Sequence, residues 1–210
     1  MKKTVLILLF SFCVLGNISA QSVITKKTKM IQKLETATFA NGCFWCTEAI
    51  FQRLEGVQSV TSGYTGGTIK NPSYKEVSSG STGHAEAIQI QFDSSIITFQ
   101  EILDVFFSTH DPTTLNKQGY DVGTQYRSAI FYHSNEQKET AEKFIKALTE
   151  AQVFDSPIVT EIVQFDTFYK AEDYHQNYYN NNKYQGYCVA VINPKLEKFI
   201  KKYKDKLKKQ

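Results

Sequence analysis

Alternation of apolar and polar positions shows where the chain changes between strand and helix. Residues 85–92 alternate with period two, which places Ile88, Ile90 and Phe92 on one face of a half-buried strand. Residues 98–107 instead repeat apolar side chains at helical spacing, behind a capping box of Thr98 and Glu101. The two periods predict a chain that contains both strands and helices.

The same patterns predict the remaining elements. We expect strands at residues 36–40, 126–133 and 158–163, helices over 43–56, 134–148 and 194–208, and mainly loop over the Gly-, Ser- and Thr-rich residues 61–83. Strands and helices interleave irregularly, with no internal repeat and no linker long enough to divide the chain. We therefore predict one α+β domain over residues 36–210, a two-layer α/β sandwich with a mixed sheet.

The first twenty residues have the pattern of a secretory signal peptide. Lys2 and Lys3 precede an apolar run over residues 5–15, and small residues stand at 19 and 20. The run is shorter than the roughly 20 residues of a membrane-spanning helix, which favours cleavage over the alternative of an uncleaved anchor. We expect a periplasmic or other extracytoplasmic protein, with residues 21–35 as a polar leader.

Net charge gives no argument for a nucleic-acid partner. The formal charge is +3, and removal of the signal peptide lowers it to +1. Residues 194–210 carry eight lysines and two acids, so the basicity belongs to the last helix. We interpret that helix as a solvated face around an apolar stripe, with weak attraction to an anionic membrane as the alternative.

Cysteine usage indicates redox chemistry. Cleavage of the signal peptide leaves Cys43, Cys46 and Cys188, an odd number for an exported chain. Either one thiol is left free by accident, or the cysteines take turns in a catalytic cycle. The four histidines are scattered and no second cysteine pair exists, so we expect no metal site.

The strongest chemical signal is the segment Gly42-Cys43-Phe44-Trp45-Cys46. Cys43 falls where a strand passes into a helix, and a helix N-terminus stabilises a thiolate through its free N–H groups and dipole. Cys46 is close enough to form a disulfide with Cys43 after oxidation. Two buried structural cysteines or a permanent disulfide remain as alternatives.

Glu86 is the candidate general acid. It shares the apolar face of its strand, and a carboxylate that faces a core resists ionisation, so its pKa should rise toward neutrality. A carboxylic acid that is protonated near neutral pH can act as a proton donor. An equally weighted alternative is that Glu86 reaches water at the strand end or pairs with Arg127.

Seven short motifs stand in a fixed order within residues 36–192. They are Gly42-Cys43-Phe44-Trp45, Gly63-Tyr64-Thr65-Gly66-Gly67, Asn71-Pro72-Ser73-Tyr74, Gly83-His84-Ala85-Glu86, His110-Asp111-Pro112, Gly123-Thr124-Gln125-Tyr126-Arg127-Ser128 and Ala171-Glu172-Asp173-Tyr174-His175-Gln176. In this order the chain resembles the A-type peptide methionine sulfoxide reductases, which reduce the S epimer of methionine sulfoxide, free or within proteins. With it we expect a ferredoxin-like core and a long coil on its C-terminal side.

The resemblance implies a role for each matching residue. Cys43 resembles the nucleophile that attacks the sulfoxide sulfur and becomes a sulfenic acid, and Glu86 resembles the acid that protonates the sulfoxide oxygen. The other implied site residues are Tyr74 and Tyr126, which hydrogen-bond that oxygen, Asp121 in the same pocket, and Phe44 and Trp45, which form the apolar wall for the S-methyl group.

The resemblance also implies that a second thiol resolves the sulfenic acid. Cys46 and Cys188 both match resolving positions of different members; we expect Cys46 to act first, because it needs no chain rearrangement, and Cys188 to relay the disulfide. Recycling then requires thioredoxin or a thioredoxin-like dithiol, with no bound cofactor. We expect a monomer that repairs oxidised exported proteins. A general Cys-x-x-Cys thiol–disulfide oxidoreductase and a non-enzymatic, disulfide-bridged binding domain remain as alternatives.

Overall fold

The computed structural model describes residues 33–209. The predicted signal peptide and residues 21–32 of the predicted leader lie outside the described residues. Leu34 and Glu35, assigned to the leader from sequence, instead begin the first strand, because Leu34 pairs with Asp93 of a neighbouring strand. Within the described range, each helix is too short or too polar to cross a membrane.

The described residues form eight strands and six α-helices. The strands are β1 (Leu34–Asn41), β2 (Val57–Thr65), β3 (Ala85–Asp93), β4 (Lys117–Gln118), β5 (Asp121–Val122), β6 (Ser128–Tyr132), β7 (Glu161–Gln164) and β8 (Phe168–Lys170). The helices are α1 (Phe44–Phe51), α2 (Tyr74–Ser78), α3 (Phe99–Ser108), α4 (Asn135–Glu150), α5 (Tyr178–Asn181) and α6 (Asn193–Tyr203).

Six of the strands form one mixed sheet in the order β7-β6-β1-β3-β2-β8. Only the β6–β7 pair within this sheet is parallel. The four central strands follow the ferredoxin-like order, with α1 between β1 and β2 and α3 between β3 and β6. The predicted α+β fold with a mixed sheet is confirmed.

The main core lies between the sheet and the helices. Phe39 of β1, Phe51 of α1 and Phe106 of α3 are fully buried, and the ring centroids of Phe39 and Phe106 are 4.9 Å apart. Full burial of one such side chain stabilises the fold by roughly 1.5–3 kcal/mol. Seven of the eight α1 residues are buried, so this helix is enclosed on all sides and gives the site a rigid base.

Residues 61–83 lie mainly in loops and turns, as predicted, but they also contain parts of two elements that the sequence analysis did not predict. They include most of β2, which pairs with β3 on one side and β8 on the other, and all of α2. The small residues that resemble loop composition are needed for close strand packing: a Cβ on Gly63 would lie 2.4 Å from the carbonyl oxygen of Tyr169 on β8.

Two helices end earlier than predicted. The helix that begins after Cys43 ends at Phe51, and Gly56, at φ +87°, turns the chain into β2. The Lys-rich helix ends at Tyr203 rather than at residue 208, because Leu207 forms an antiparallel bridge with Leu54 and its backbone is extended.

Candidate active site

Cys43 lies at the junction that the sequence predicts. Strand β1 ends at Asn41, Gly42 turns the chain at φ +92°, and Cys43 is the N-cap residue of α1. A side chain at Gly42 would collide with Gln118, since a Cβ there would lie 2.6 Å from Gln118 Cγ. Cys43 is 8% exposed, so its thiol is largely shielded from solvent.

Glu86 is a buried carboxyl group beside this helix. It is 2% exposed, and its Oε2 accepts the backbone N–H of Phe44 at 3.1 Å. Burial raises the pKa of Glu86 to about 8, although the Phe44 N–H favours the charged form. Arg127 pairs with Glu161 at 3.2 Å instead of with Glu86. The predicted burial of Glu86 is therefore confirmed, and the alternative pairing with Arg127 is wrong.

The thiol of Cys43 does not have the lowered pKa that the sequence predicts. Burial raises its pKa, and the adjacent Cys46 and then Glu86 raise it further. The first N–H group of the helix, on Phe44, is donated to Glu86 rather than to the sulfur. Without substrate, Cys43 is therefore a protonated thiol at neutral pH.

Two tyrosine hydroxyls lie close enough to Glu86 for its charge to affect them. Tyr74 begins α2, and Tyr126 ends a 3₁₀ turn that precedes β6. Burial, and then the charge of Glu86, raises the pKa of both hydroxyls. Both tyrosines therefore stay protonated and are able to donate hydrogen bonds in the pocket.

Phe44 and Trp45 form an aromatic wall with residues from the far end of the chain. The Trp45 ring stacks on Tyr178 at 3.7 Å between centroids, with 7° between the planes. Its indole N–H donates to Nδ1 of His175 at 3.0 Å. Phe44 is 1% exposed, with its ring centroid 5.0 Å from that of His175. This aromatic wall is apolar, and Trp45 is held in it by the stack on Tyr178 and by the hydrogen bond to His175.

Asp121 bonds to Tyr187, a residue that the sequence analysis missed. Tyr187 donates its hydroxyl to Asp121 Oδ2 at 2.7 Å, and the Tyr187 hydroxyl oxygen is also 4.0 Å from Cys46 Sγ. The sequence analysis assigned no role to Tyr187. The position of Tyr187 directly before Cys188 was the available signal for a role at the site.

The three cysteines of the described chain are buried free thiols in this structure. Cys46 lies one helical turn after Cys43, and the Cys43–Cys46 hydrogen bond lowers the pKa of Cys46. Cys188 is 0% exposed and opens a π-helical turn, Cys188–Ile192, that continues into α6. The buried side chains of Leu196 and Phe199 hold α6 against the core.

Glu172 and His175 are further site residues for which sequence reasoning assigned no role. Glu172 accepts the Tyr64 hydroxyl and the Tyr74 backbone N–H, each at 2.8 Å. His175 is 1% exposed and accepts the indole N–H of Trp45. Both belong to the Ala171–Gln176 motif, which therefore ties the tyrosine side of the pocket to its aromatic wall.

Comparison with known proteins decides the family. The sequence model described as Peptide methionine sulfoxide reductase matches residues 35–208. The chain belongs to this family. It is 58% identical over 174 residues to the peptide methionine sulfoxide reductase MsrA of Deinococcus radiodurans, which covers 83% of this chain and 84% of the relative. It is 53% identical over 175 residues to MsrA of Saccharolobus solfataricus, covering 83% and 98%.

Solved structures of the family share the fold. The reduced form of Mxr1 from Saccharomyces cerevisiae has a TM-score of 0.68 and 36% identity, covering 74% of this chain and 90% of that one. Methionine sulfoxide reductase A of Corynebacterium diphtheriae has a TM-score of 0.65 and 34% identity, covering 72% and 76%. The chain is thus an A-type peptide methionine sulfoxide reductase, as the motif series implied, rather than a general thiol–disulfide oxidoreductase or a binding domain.

Proposed function

We propose that this reductase moves the oxygen of methionine-S-sulfoxide onto the sulfur of Cys43 while Glu86 donates and then recovers a proton. The observation that carries the proposal is the link between the two groups. Phe44, the residue after Cys43, donates its N–H to the Glu86 carboxyl, and that carboxyl is buried with a pKa of about 8. The nucleophile and the acid are therefore held together by one backbone hydrogen bond.

The proposed reaction balances within these two groups. The Cys43 sulfur bonds to the sulfoxide sulfur, Glu86 protonates the sulfoxide oxygen, and the Cys43 thiol proton passes to the Glu86 carboxylate. Transfer of the hydroxyl then leaves a sulfenic acid on Cys43 and methionine as product. Cys43 is oxidised by two electrons and the methionine sulfur is reduced by two. Because the Cys43 thiol proton replaces the proton that Glu86 gives to the sulfoxide oxygen, Cys43 need not be a thiolate before substrate binds.

The rest of the pocket orients the sulfoxide. Hydroxyls of Tyr74 and Tyr126 beside Glu86 suit the oxygen, and the wall of Phe44 and Trp45 suits the methyl group. Asp121 holds Tyr187 by a hydrogen bond. An oxygen site on one side and a methyl site on the other favour one hand at sulfur, which we propose is the S epimer.

We propose that Cys46 resolves the sulfenic acid. It lies one turn along the same helix, where its backbone N–H donates to the Cys43 carbonyl oxygen at 3.1 Å, so the disulfide forms with release of water and without unfolding of α1. Cys188 is fully buried where the π-helical turn leads into α6, so its approach to Cys43 requires movement of that turn. Cys188 then relays the disulfide by thiol–disulfide exchange.

The resolving order is testable by peptide mapping after one equivalent of methionine-S-sulfoxide without reductant. We expect a dominant Cys43–Cys46 bridge in the wild type, and a Cys43–Cys188 bridge that forms more slowly in Cys46→Ser. The Cys188→Ser variant is the matched control and should form the first bridge at the wild-type rate. A dominant Cys43–Cys188 bridge in the wild type would reverse the order.

A second prediction concerns pH. Because Glu86 must be protonated and its pKa is about 8, kcat/KM should be constant below that pH and fall about tenfold per unit above it. The measurement is a pH profile of kcat/KM with dithiothreitol at saturation. The descending limb should be absent near pH 8 in Glu86→Gln. A wild-type limb near pH 4.5 would show instead that Glu86 is an ordinary exposed carboxyl.

The cellular context is also part of the proposal. The signal-peptide pattern of residues 1–20 supports export, and oxidised exported proteins would then be the substrates. A thioredoxin-like dithiol outside the cytoplasm would reduce the final disulfide, and the enzyme would act as a monomer without a bound cofactor. N-terminal sequencing of protein recovered from the periplasm tests the first step, since an intact Met1 there would exclude cleavage.

A further inference from the structure

Glu48 is a buried carboxyl group that the proposed chemistry does not use. It lies on α1, two residues after Cys46, and is 2% exposed. Its Oε1 accepts the backbone N–H of Asn177 at 2.8 Å, and its Oε2 accepts that of Tyr178 at 3.3 Å. Burial raises the pKa of Glu48, whereas these two N–H groups lower it. Removal of this buried acceptor would leave both N–H groups without a partner.

The segment that Glu48 holds begins a very short helix. Asn177 has a left-handed backbone, with φ +52°, and α5 follows over only four residues. Such a short helix has little stability of its own. Its first N–H groups are satisfied by a carboxylate more than one hundred residues earlier in the chain, so α1 fixes where α5 starts.

That starting point determines the position of the Tyr178 ring. Tyr178 stacks on Trp45 at 3.7 Å, and Trp45 and Glu48 lie three residues apart on the same side of α1. Helix α1 thus carries Trp45 and, one turn later, Glu48. The Glu48 carboxylate in turn holds Tyr178, the residue that stacks on the Trp45 indole. His175, two residues before Asn177, accepts the indole N–H.

We infer that Glu48 is a positioning residue for Trp45, which it holds in place through the backbone of Asn177 and Tyr178. Glu48 does not touch the substrate; it sets the affinity of the aromatic wall for the sulfoxide methyl group. The inference rests on the proposed role of Trp45 as that wall.

The test compares Glu48→Ala and Glu48→Gln with the wild type in steady-state reduction of a methionine-S-sulfoxide peptide. In Glu48→Ala we expect KM to rise roughly tenfold while kcat stays within about twofold, because the chemical groups are unchanged and only uniform binding is lost. In Glu48→Gln, the amide oxygen still accepts an N–H, so KM should stay closer to the wild-type value.

Trp45 provides a spectroscopic readout that does not depend on activity. It is the only tryptophan in the chain, so tryptophan emission, excited where tyrosine does not absorb, reports on this ring alone. Loss of the Tyr178 stack in Glu48→Ala should shift the emission to longer wavelength, as the indole gains contact with water. If Glu48→Ala does not fold, both measurements are made on Glu48→Gln. KM and the emission wavelength should then change in the same directions, but by less.

The matched control is Tyr179→Phe, which removes the hydrogen bond from the Tyr179 hydroxyl to Asn193. It leaves the N–H groups of residues 177 and 178 bonded to Glu48. It should change neither KM nor the emission. Equal effects of Tyr179→Phe and Glu48→Ala would overturn the inference, and so would unchanged KM and emission in Glu48→Ala, or a loss in kcat alone. A normal KM in Trp45→Ala would instead contradict the proposed role of Trp45 in binding the sulfoxide methyl group. Failure of that role can therefore be distinguished from failure of the inference about Glu48.

Discussion

Substitution of Cys43 by serine is expected to lower turnover of methionine-S-sulfoxide by about 10⁴-fold or more, to the level of the uncatalysed reaction with reductant. A serine hydroxyl is a far weaker nucleophile than a thiol and cannot carry the oxygen as a sulfenic acid. Serine fits the site, because it is a favoured N-cap residue and is slightly smaller than cysteine. The measurement is methionine formation from separated S and R epimers under dithiothreitol.

The control for this loss is Cys46→Ser, which keeps the nucleophile and removes the thiol that we expect to resolve it. It should still release methionine from the S epimer in a single turnover, whereas Cys43→Ser should release none. Residual turnover of one per cent or more in a folded Cys43→Ser protein would show that another thiol attacks the sulfoxide.

Substitution of Glu86 by glutamine should reduce kcat/KM by about 10²–10⁴-fold, the usual contribution of a general acid. The glutamine amide still accepts the N–H of Phe44 but does not protonate the sulfoxide oxygen. Exposed Glu76, which caps α2 beside the pocket, provides the matched control. Glu76→Gln should retain nearly full activity, and an equal loss in both variants would argue for a general charge effect.

The same variant should be more stable than the wild type. The folded-state pKa of Glu86 is about 8, above its ordinary value of 4.5. The buried neutral acid therefore costs little stability at low pH, but it lowers the free energy of unfolding progressively as pH rises from 4.5 to 8. At pH 7 the penalty is on the order of 3 kcal/mol. Urea unfolding should therefore give Glu86→Gln a larger free energy of unfolding at pH 8, and a smaller difference at pH 4. Lower stability of the variant at pH 8 would contradict the burial argument.

The local sequence pattern was sufficient to predict features that depend on a single strand or helix. The alternation of β3 predicts the burial of Glu86, because the side chain shares a face with Ile88 and Ile90. The capping box of Thr98 and Glu101 likewise predicts the start of α3, where both reciprocal bonds are present. Each of these features is determined by residues close in sequence.

Features that depend on distant segments could not be predicted in this way. The acidity of Cys43 depends first on burial, which distant segments create, then on Cys46 and less on Glu86, 43 residues away, so the helix N-terminus alone was a poor guide. Tyr187 reaches Asp121 across 66 residues. The second part of β2 fell within the predicted loop, because the small residues that allow close contact with β8 are also typical of turns. Only tertiary packing distinguishes these cases.

The most direct test of the account is one turnover of a Cys46→Ser/Cys188→Ser enzyme with methionine-S-sulfoxide labelled with heavy oxygen, followed by trapping of sulfenic acid and peptide mass analysis. Oxygen transfer to Cys43 predicts one equivalent of methionine and the heavy oxygen on the Cys43 peptide. Methionine formed with the heavy oxygen found only in water, and with Cys43 unmodified, would contradict it.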